Sequence, residues 1–131
     1  MPKTKPLISV VDDDESMREA VRGLMKSLGY TAEAFASAEE FLSSRQAPRT
    51  SCLIADVQMP GMSGPELYDG LVASGKPIPT ILITAYPDAR VRERALQAGV
   101  VGYLIKPFSE DDLLGCIQSI LERRKEADNA E

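Results

Sequence analysis

Cys52-Leu53-Ile54-Ala55-Asp56 runs straight into Val57-Gln58-Met59-Pro60-Gly61-Met62-Ser63-Gly64, and this stretch decides how the chain is read. Its four apolar residues have the length and the unbroken hydrophobicity of a strand buried on both faces. Pro60-Gly61 marks a turn. Ser63, with Glu66 three residues on and Pro65 between them, marks the capped start of a helix. The unit is therefore strand, turn and helix, with one carboxylate, Asp56, at the strand's tip. Burying a carboxylate there is costly unless something pairs with it. Two other apolar runs also end in charge: Val10-Val11 enters Asp12-Asp13-Asp14-Glu15, and Leu104-Ile105 enters Lys106-Pro107.

Outward from this unit, five apolar runs alternate with five helical patterns. The strands are expected at Leu7–Val11, Thr31–Phe35, Cys52–Ala55, Pro79–Ile83 and Val101–Ile105. The second is the more polar, as befits an edge. The first helix carries Met17, Ala20, Val21, Leu24, Met25 and Leu28 on one stripe of 3.6-residue period. Capping boxes are expected at Ser37 with Glu40, Ser63 with Glu66, and Ser109 with Asp112. Gly29, Gly75 and Gly99 are helix stops. The last helix buries Leu113, Ile117, Ile120 and Leu121 and frays into a polar tail after Arg124. Such alternation implies right-handed crossovers and a parallel sheet, an α/β fold doubly wound by helices. There are no internal repeats or linkers. One domain is expected, with a core of about 7–124, a polar tail over 125–131 and no effector domain.

The chain's 131 residues suffice to bury a core. A net charge of -5 without a long basic run argues against direct nucleic-acid binding. The Arg123-Arg124-Lys125 cluster reads as a solvated helix end. No apolar run approaches the roughly 18 residues needed to span a bilayer. Leu7–Val11 is too short for a signal peptide. Cys52 and Cys116 lack metal-ligand spacing and read as buried side chains in a reducing compartment. No His is present, which excludes a His-based triad and a His-ligated metal. A cytoplasmic protein is the expectation.

In open parallel sheets, ligands collect beyond the carboxyl ends of the strands. Asp12 and Asp13 follow the first strand, Asp56 ends the third, Thr84 follows the fourth and Lys106 follows the fifth. Each has an ordinary role when taken alone: acidic turns cap helices, and Thr favours strands. Together they converge on one edge. Carboxylates so crowded either share protons or hold a cation, and an all-oxygen ligand set suits Mg²⁺. Asp56 can then act as a nucleophile toward phosphorus, with Lys106 as a compact ammonium and Thr84 as a hydroxyl donor for the phosphoryl oxygens. Lys106–Pro107 is an X–Pro bond of the kind that can adopt cis at low cost, and a cis bond there would aim the Lys inward.

These stretches, with Ile81-Leu82-Ile83-Thr84-Ala85 and Tyr103-Leu104-Ile105-Lys106-Pro107-Phe108, resemble the receiver domain of bacterial two-component response regulators, FixJ-type and CheY-like. The resemblance covers about Leu7 to Arg123. It implies a flavodoxin-like five-stranded sheet of order 2-1-3-4-5. It also implies that Asp56 accepts a phosphoryl group from a phosphohistidine on a sensor histidine kinase. Asp12, Asp13, Asp56 and the Gln58 backbone carbonyl would bind Mg²⁺, and Asp14 would belong to the first helix. Thr84, Tyr103 and Pro107 would form the switch, remodelling the surface of helix four, strand five and helix five. The polar fourth helix (Arg90, Arg92, Glu93, Arg94) offers a face for a homodimer on phosphorylation. Gln58 and Tyr86, each two residues past a site residue, are candidates for tuning the lifetime of the phosphate, Tyr86 by obstructing water. Two other readings compete. A haloacid-dehalogenase-type phosphatase would use the first Asp of Asp12-Asp13-Asp14 as its nucleophile, but the Asp56 motif and the missing cap insertion stand against it. A pseudo-receiver would bind partners without phosphorylation, and the intact acidic set stands against that.

Overall fold

The computed structural model describes residues 5–129. In chain order it contains β1 (Leu7–Val11), α1 (Glu15–Ser27), β2 (Thr31–Phe35), α2 (Ala38–Leu42), a 3-10 turn (Ala47–Arg49) and β3 (Cys52–Asp56). There follow α3 (Gly64–Ala73), β4 (Thr80–Thr84), α4 (Ala89–Ala98), β5 (Gly102–Ile105) and α5 (Glu110–Asn129). The strands are all parallel, in the order β2-β1-β3-β4-β5. This is the doubly wound α/β order that the resemblance implies, with the more polar β2 at an edge.

Alternation along the strands sends side chains to two cores. Ile8 and Val10 of β1, Cys52 and Ile54 of β3, and Ile81 and Ile83 of β4 pack with Val21 and Met25 of α1 and with Leu113, Ile117 and Ile120 of α5. On the other face, Val11, Leu53, Ala55 and Leu82 pack with Phe41 of α2, Leu67 and Leu71 of α3, and Ala95 of α4. Burial on both faces is why the central strands read as continuous apolar runs. Burial also pushes the Cys52 thiol up to about 12. It is a packed side chain and not a nucleophile.

Several boundaries differ from expectation. β3 extends through Asp56 and β4 through Thr84, because the ladder pairs Asp56 with Ile83 and Thr84 with Ile105 although both strand-end residues are polar. On α1, Ala20 and Leu28 are exposed, and the buried residues are Val21 and Met25. The expected polar tail is helical as far as Asn129, in keeping with the high intrinsic helix propensity of Arg, Lys, Glu and Ala. Residues 130–131 lie outside the described range. Of the three expected capping boxes, the one at Ser63 and Glu66 is complete. Ser37 caps Glu40 N–H, but the Glu40 carboxylate reaches back to Ala36 N–H. At Ser109 the described bond is the one received from Asp112 N–H.

The complete box gives a test at acid pH. The Ser63 backbone N–H, and then its side chain, hold the Glu66 carboxyl below its usual 4.5. A carboxyl depressed in the folded state stabilises above its ordinary value and loses that contribution as pH falls through its folded value. Glu66→Gln is therefore expected to unfold at lower urea than wild type near neutrality, with the gap closing as pH drops well below 4.5. Ser63→Ala is expected to cost about 1 kcal/mol. Urea midpoints across the acid range check both.

Candidate functional site

The parallel register delivers four strand ends to one edge. Val11 pairs with Ala55, Asp56 with Ile83, and Thr84 with Ile105. Asp12 and Lys106, each one residue past its strand, therefore stand at the same end as Asp56 and Thr84. Backbone bonds fix these positions: Asp12 N–H donates to Phe35 O at 3.1 Å, Val57 N–H to Ile83 O at 2.8 Å, and Lys106 N–H to Thr84 O at 2.8 Å.

Lys106 bridges two carboxylates. Its Nζ lies 3.1 Å from Asp56 Oδ2 and 3.3 Å from Asp12 Oδ2. Asp56 Oδ1 accepts from Gln58 N–H at 3.2 Å, and Asp12 Oδ1 accepts from Asp14 N–H at 2.9 Å. Asp12 is wholly buried and Asp56 is 6% exposed. Burial, reinforced by the Asp56 charge, raises the Asp12 carboxyl above its usual value, against the opposing pull of Asp14 N–H and Lys106. For Lys106 the largest single influence is burial, which lowers it. The hydrogen bonds and charges of Asp56 and Asp12 outweigh that and hold the ammonium above its ordinary value. Both carboxylates are thus oriented by named donors.

Asp13 completes the cluster. One carboxylate oxygen each from Asp12, Asp13 and Asp56 lies within 4.8 Å of the others. Three carboxylates against one ammonium leave a formal deficit that a divalent cation balances. Oxygen donors in this number suit a hard ion that keeps part of its water. The residues present fit Mg²⁺. Asp14 stands apart as the N-cap of α1, accepting from Ser16 and Met17 N–H.

Thr84 is fully buried but lies outside the Asp56–Lys106 network in this structure. Its hydroxyl donates to Gln58 Oε1 at 2.8 Å and accepts from Tyr86 N–H at 3.0 Å. The Tyr103 ring is half-buried against the α2–α3–α4 core, and its hydroxyl accepts from Asp88 N–H, at the N-cap of α4, at 3.2 Å. Tyr86 is 72% exposed, and its described tie to the site is its backbone N–H. The Lys106–Pro107 bond takes the cis form that the sequence left open.

Two residues, and the reason for a third being glycine, are visible in the structure and not in the sequence pattern. Glu39 of α2 accepts from Met62 N–H at 3.2 Å, tethering the loop that follows Asp56. Arg18 donates to Asp12 O at 2.9 Å, holding the β1–α1 turn. Gly64 sits against the Asp56 backbone carbonyl, where any side chain would collide. Arg18 lies six residues from its partner and Glu39 twenty-three from Met62, and neither belongs to a local motif that marks it. Gly64 closes the Asp56 stretch, but its contact with the Asp56 carbonyl does not show in the pattern. No helix among the described residues is long and apolar enough to cross a membrane.

Comparison with known proteins places this geometry in context. The family model described as the response regulator receiver domain matches residues 8–118. Nodulation protein W of Bradyrhizobium diazoefficiens is 40% identical over 127 residues, covering 95% of this chain and 56% of that protein. The transcriptional regulatory protein FixJ of the same organism is 34% identical over 128 residues, covering 98% of this chain and 62% of that protein. A crystal structure of a response regulator receiver protein from Burkholderia phymatum is 43% identical, with a TM-score of 0.76, covering 90% of this chain and 96% of that one. The chain spans about half the length of the curated relatives it matches.

Proposed function

Because this chain belongs to the response regulator receiver domain family, we propose that it is the phosphoacceptor of a two-component signalling system, with Asp56 taking a phosphoryl group from a phosphohistidine of a sensor histidine kinase. The observation that carries this reading is the Asp56 carboxylate, enclosed between Lys106 and Gln58 N–H beside two further carboxylates. Asp12, Asp13, Asp56 and the Gln58 carbonyl would hold Mg²⁺, which supplies neutralisation of phosphoryl charge. An Asp56 oxygen bonds to phosphorus as the bond from phosphorus to the imidazole nitrogen breaks, and the imidazole leaves with the electron pair. Catalysis here is positioning and charge: Lys106 meets one phosphoryl oxygen and Thr84 another.

The phosphate then acts as a ligand that one conformation accommodates better, so it shifts a population. Thr84 turns toward the phosphoryl group, and Tyr103 gives up Asp88 N–H and moves inward behind it, with Pro107 beside them. The surface of α4, β5 and α5 changes in consequence. The α4 face carrying Arg90, Arg92, Glu93 and Arg94 is our proposed homodimer contact in the phosphorylated state. We take residues 7–124 to act as one receiver domain in the cytoplasm. Its output would pass through a downstream protein or an effector segment, without direct nucleic-acid contact by these residues.

Incubation with Mg²⁺ and a small phosphodonor, followed by mass mapping, tests the proposal. One phosphoryl group on Asp56 is the expected result. Label on Asp12, or turnover of a phosphomonoester, would favour a phosphatase, and no label would favour a pseudo-receiver.

A further inference from the structure

The hydroxyl proton of Thr84 is already committed in this structure. We propose that the Gln58 side chain is a resting-state latch on Thr84, a positioning residue that sets how readily the switch turns. The inference rests on the reading of Asp56, Thr84 and Lys106 given under Proposed function, and extends it to a residue whose side chain that reading does not use.

A Thr hydroxyl donates one hydrogen bond. That bond runs to Gln58 Oε1 at 2.8 Å, while the Thr84 hydroxyl oxygen itself accepts from Tyr86 N–H at 3.0 Å. Neither Asp56 oxygen receives Thr84: the described donors to them are Gln58 N–H and Lys106. To serve a phosphoryl oxygen, Thr84 must therefore surrender Gln58. The latch is held at its own base, because Gln58 N–H is fixed on Asp56 Oδ1 at 3.2 Å. One residue thus touches the phosphoacceptor through its backbone and the switch through its side chain. Its amide oxygen competes with the phosphoryl group for a single proton, and the competition raises the free energy of turning without altering the ligands of the phosphoryl group.

Gln58→Met keeps the length of the side chain and the backbone groups while removing the amide acceptor. A neutral hydrogen bond of ordinary net strength corresponds to about threefold to tenfold in an equilibrium. Affinity for beryllofluoride with Mg²⁺, a phosphoryl mimic, is expected to rise by about that factor in Gln58→Met. In a Thr84→Ala background the same substitution is expected to leave the affinity where it was, because the bond no longer exists to be lost. A Gln58→Met affinity equal to wild type, or an equal gain in the Thr84→Ala background, overturns the latch. Three-bond couplings of Thr84 in the unliganded protein provide a measure independent of phosphoryl chemistry. They should report one side-chain rotamer in wild type and a mixture in Gln58→Met, and a single unchanged rotamer also overturns the latch. Failure of wild type to bind the mimic would instead bring down the receiver reading, and the latch with it.

Discussion

Asp56→Asn takes up no phosphoryl mass from a small phosphodonor in the presence of Mg²⁺, and its label falls to the assay background. The amide has the carboxylate's shape but lacks its charge and its nucleophilic electron pair. The loss is therefore chemical and not a failure to fold. Asn retains one acceptor oxygen where Asp56 has two, and those two are engaged by Gln58 N–H and Lys106. Either the Gln58 bond or the Lys106 bond survives, and the amide NH₂ faces the other donor. Removing the Asp56 charge also removes one of the influences that raise Asp12. The Asp12 carboxyl should accordingly titrate lower in the variant, which carboxyl NMR would follow. Undiminished label in Asp56→Asn would place the acceptor elsewhere and sink the assignment.

Gly64→Ala loses about 1–3 kcal/mol of stability, the usual range for overpacking, and labels more slowly at Asp56. Gly64 has no positive φ, so its need for glycine is one of space. An added Cβ would strike the Asp56 backbone carbonyl and approach Leu82 Cδ2 to 3.0 Å. A carbonyl in a strand cannot rotate aside, so strand β3 or the start of α3 has to shift, and the nucleophile shifts with it. Gly70 provides the control on the same helix. Nothing lies within 4 Å of its would-be Cβ, and Gly70→Ala should stabilise by up to about 1 kcal/mol through helix propensity alone. Urea midpoints and labelling rates of the two variants give the comparison. A Gly64→Ala protein as stable and as reactive as wild type would contradict the contact.

The strands of this fold were legible because burial on both sheet faces writes itself as apolar runs. Leu7–Val11 and Thr31–Phe35 match the observed strands residue for residue. Asp56 and Thr84 were set one place beyond their strands because pattern follows polarity while the ladder follows backbone pairing. The end of α5 was misplaced for a related reason: the reading stopped where apolar residues stopped, and helix propensity did not. Asp12, Asp13, Asp56, Thr84 and Lys106 can be brought to one edge from the sequence, since a parallel sheet sends every strand's carboxyl end there. The Glu39 tether, the contact of Gly64 with the Asp56 carbonyl and the bond from Thr84 to Gln58 cannot be read from the sequence. Each depends on an approach between segments 8 to 26 residues apart, and such proximity leaves no trace in local pattern.

The bridge from Lys106 to Asp12 and Asp56 has a consequence for the order in which the molecule is made. Lys106 follows the last strand, so a chain still emerging from the ribosome with only β1 to β4 would bring Asp12 and Asp56 together with no ammonium between them. Like charges then oppose the closure of that edge. Docking of β5 would then place the Lys106 ammonium against both carboxylates and relieve that repulsion. If Asp56 is the phosphoacceptor, a chain that ends before β5 lacks Lys106, and with it the ammonium that meets the Asp56 carboxylate.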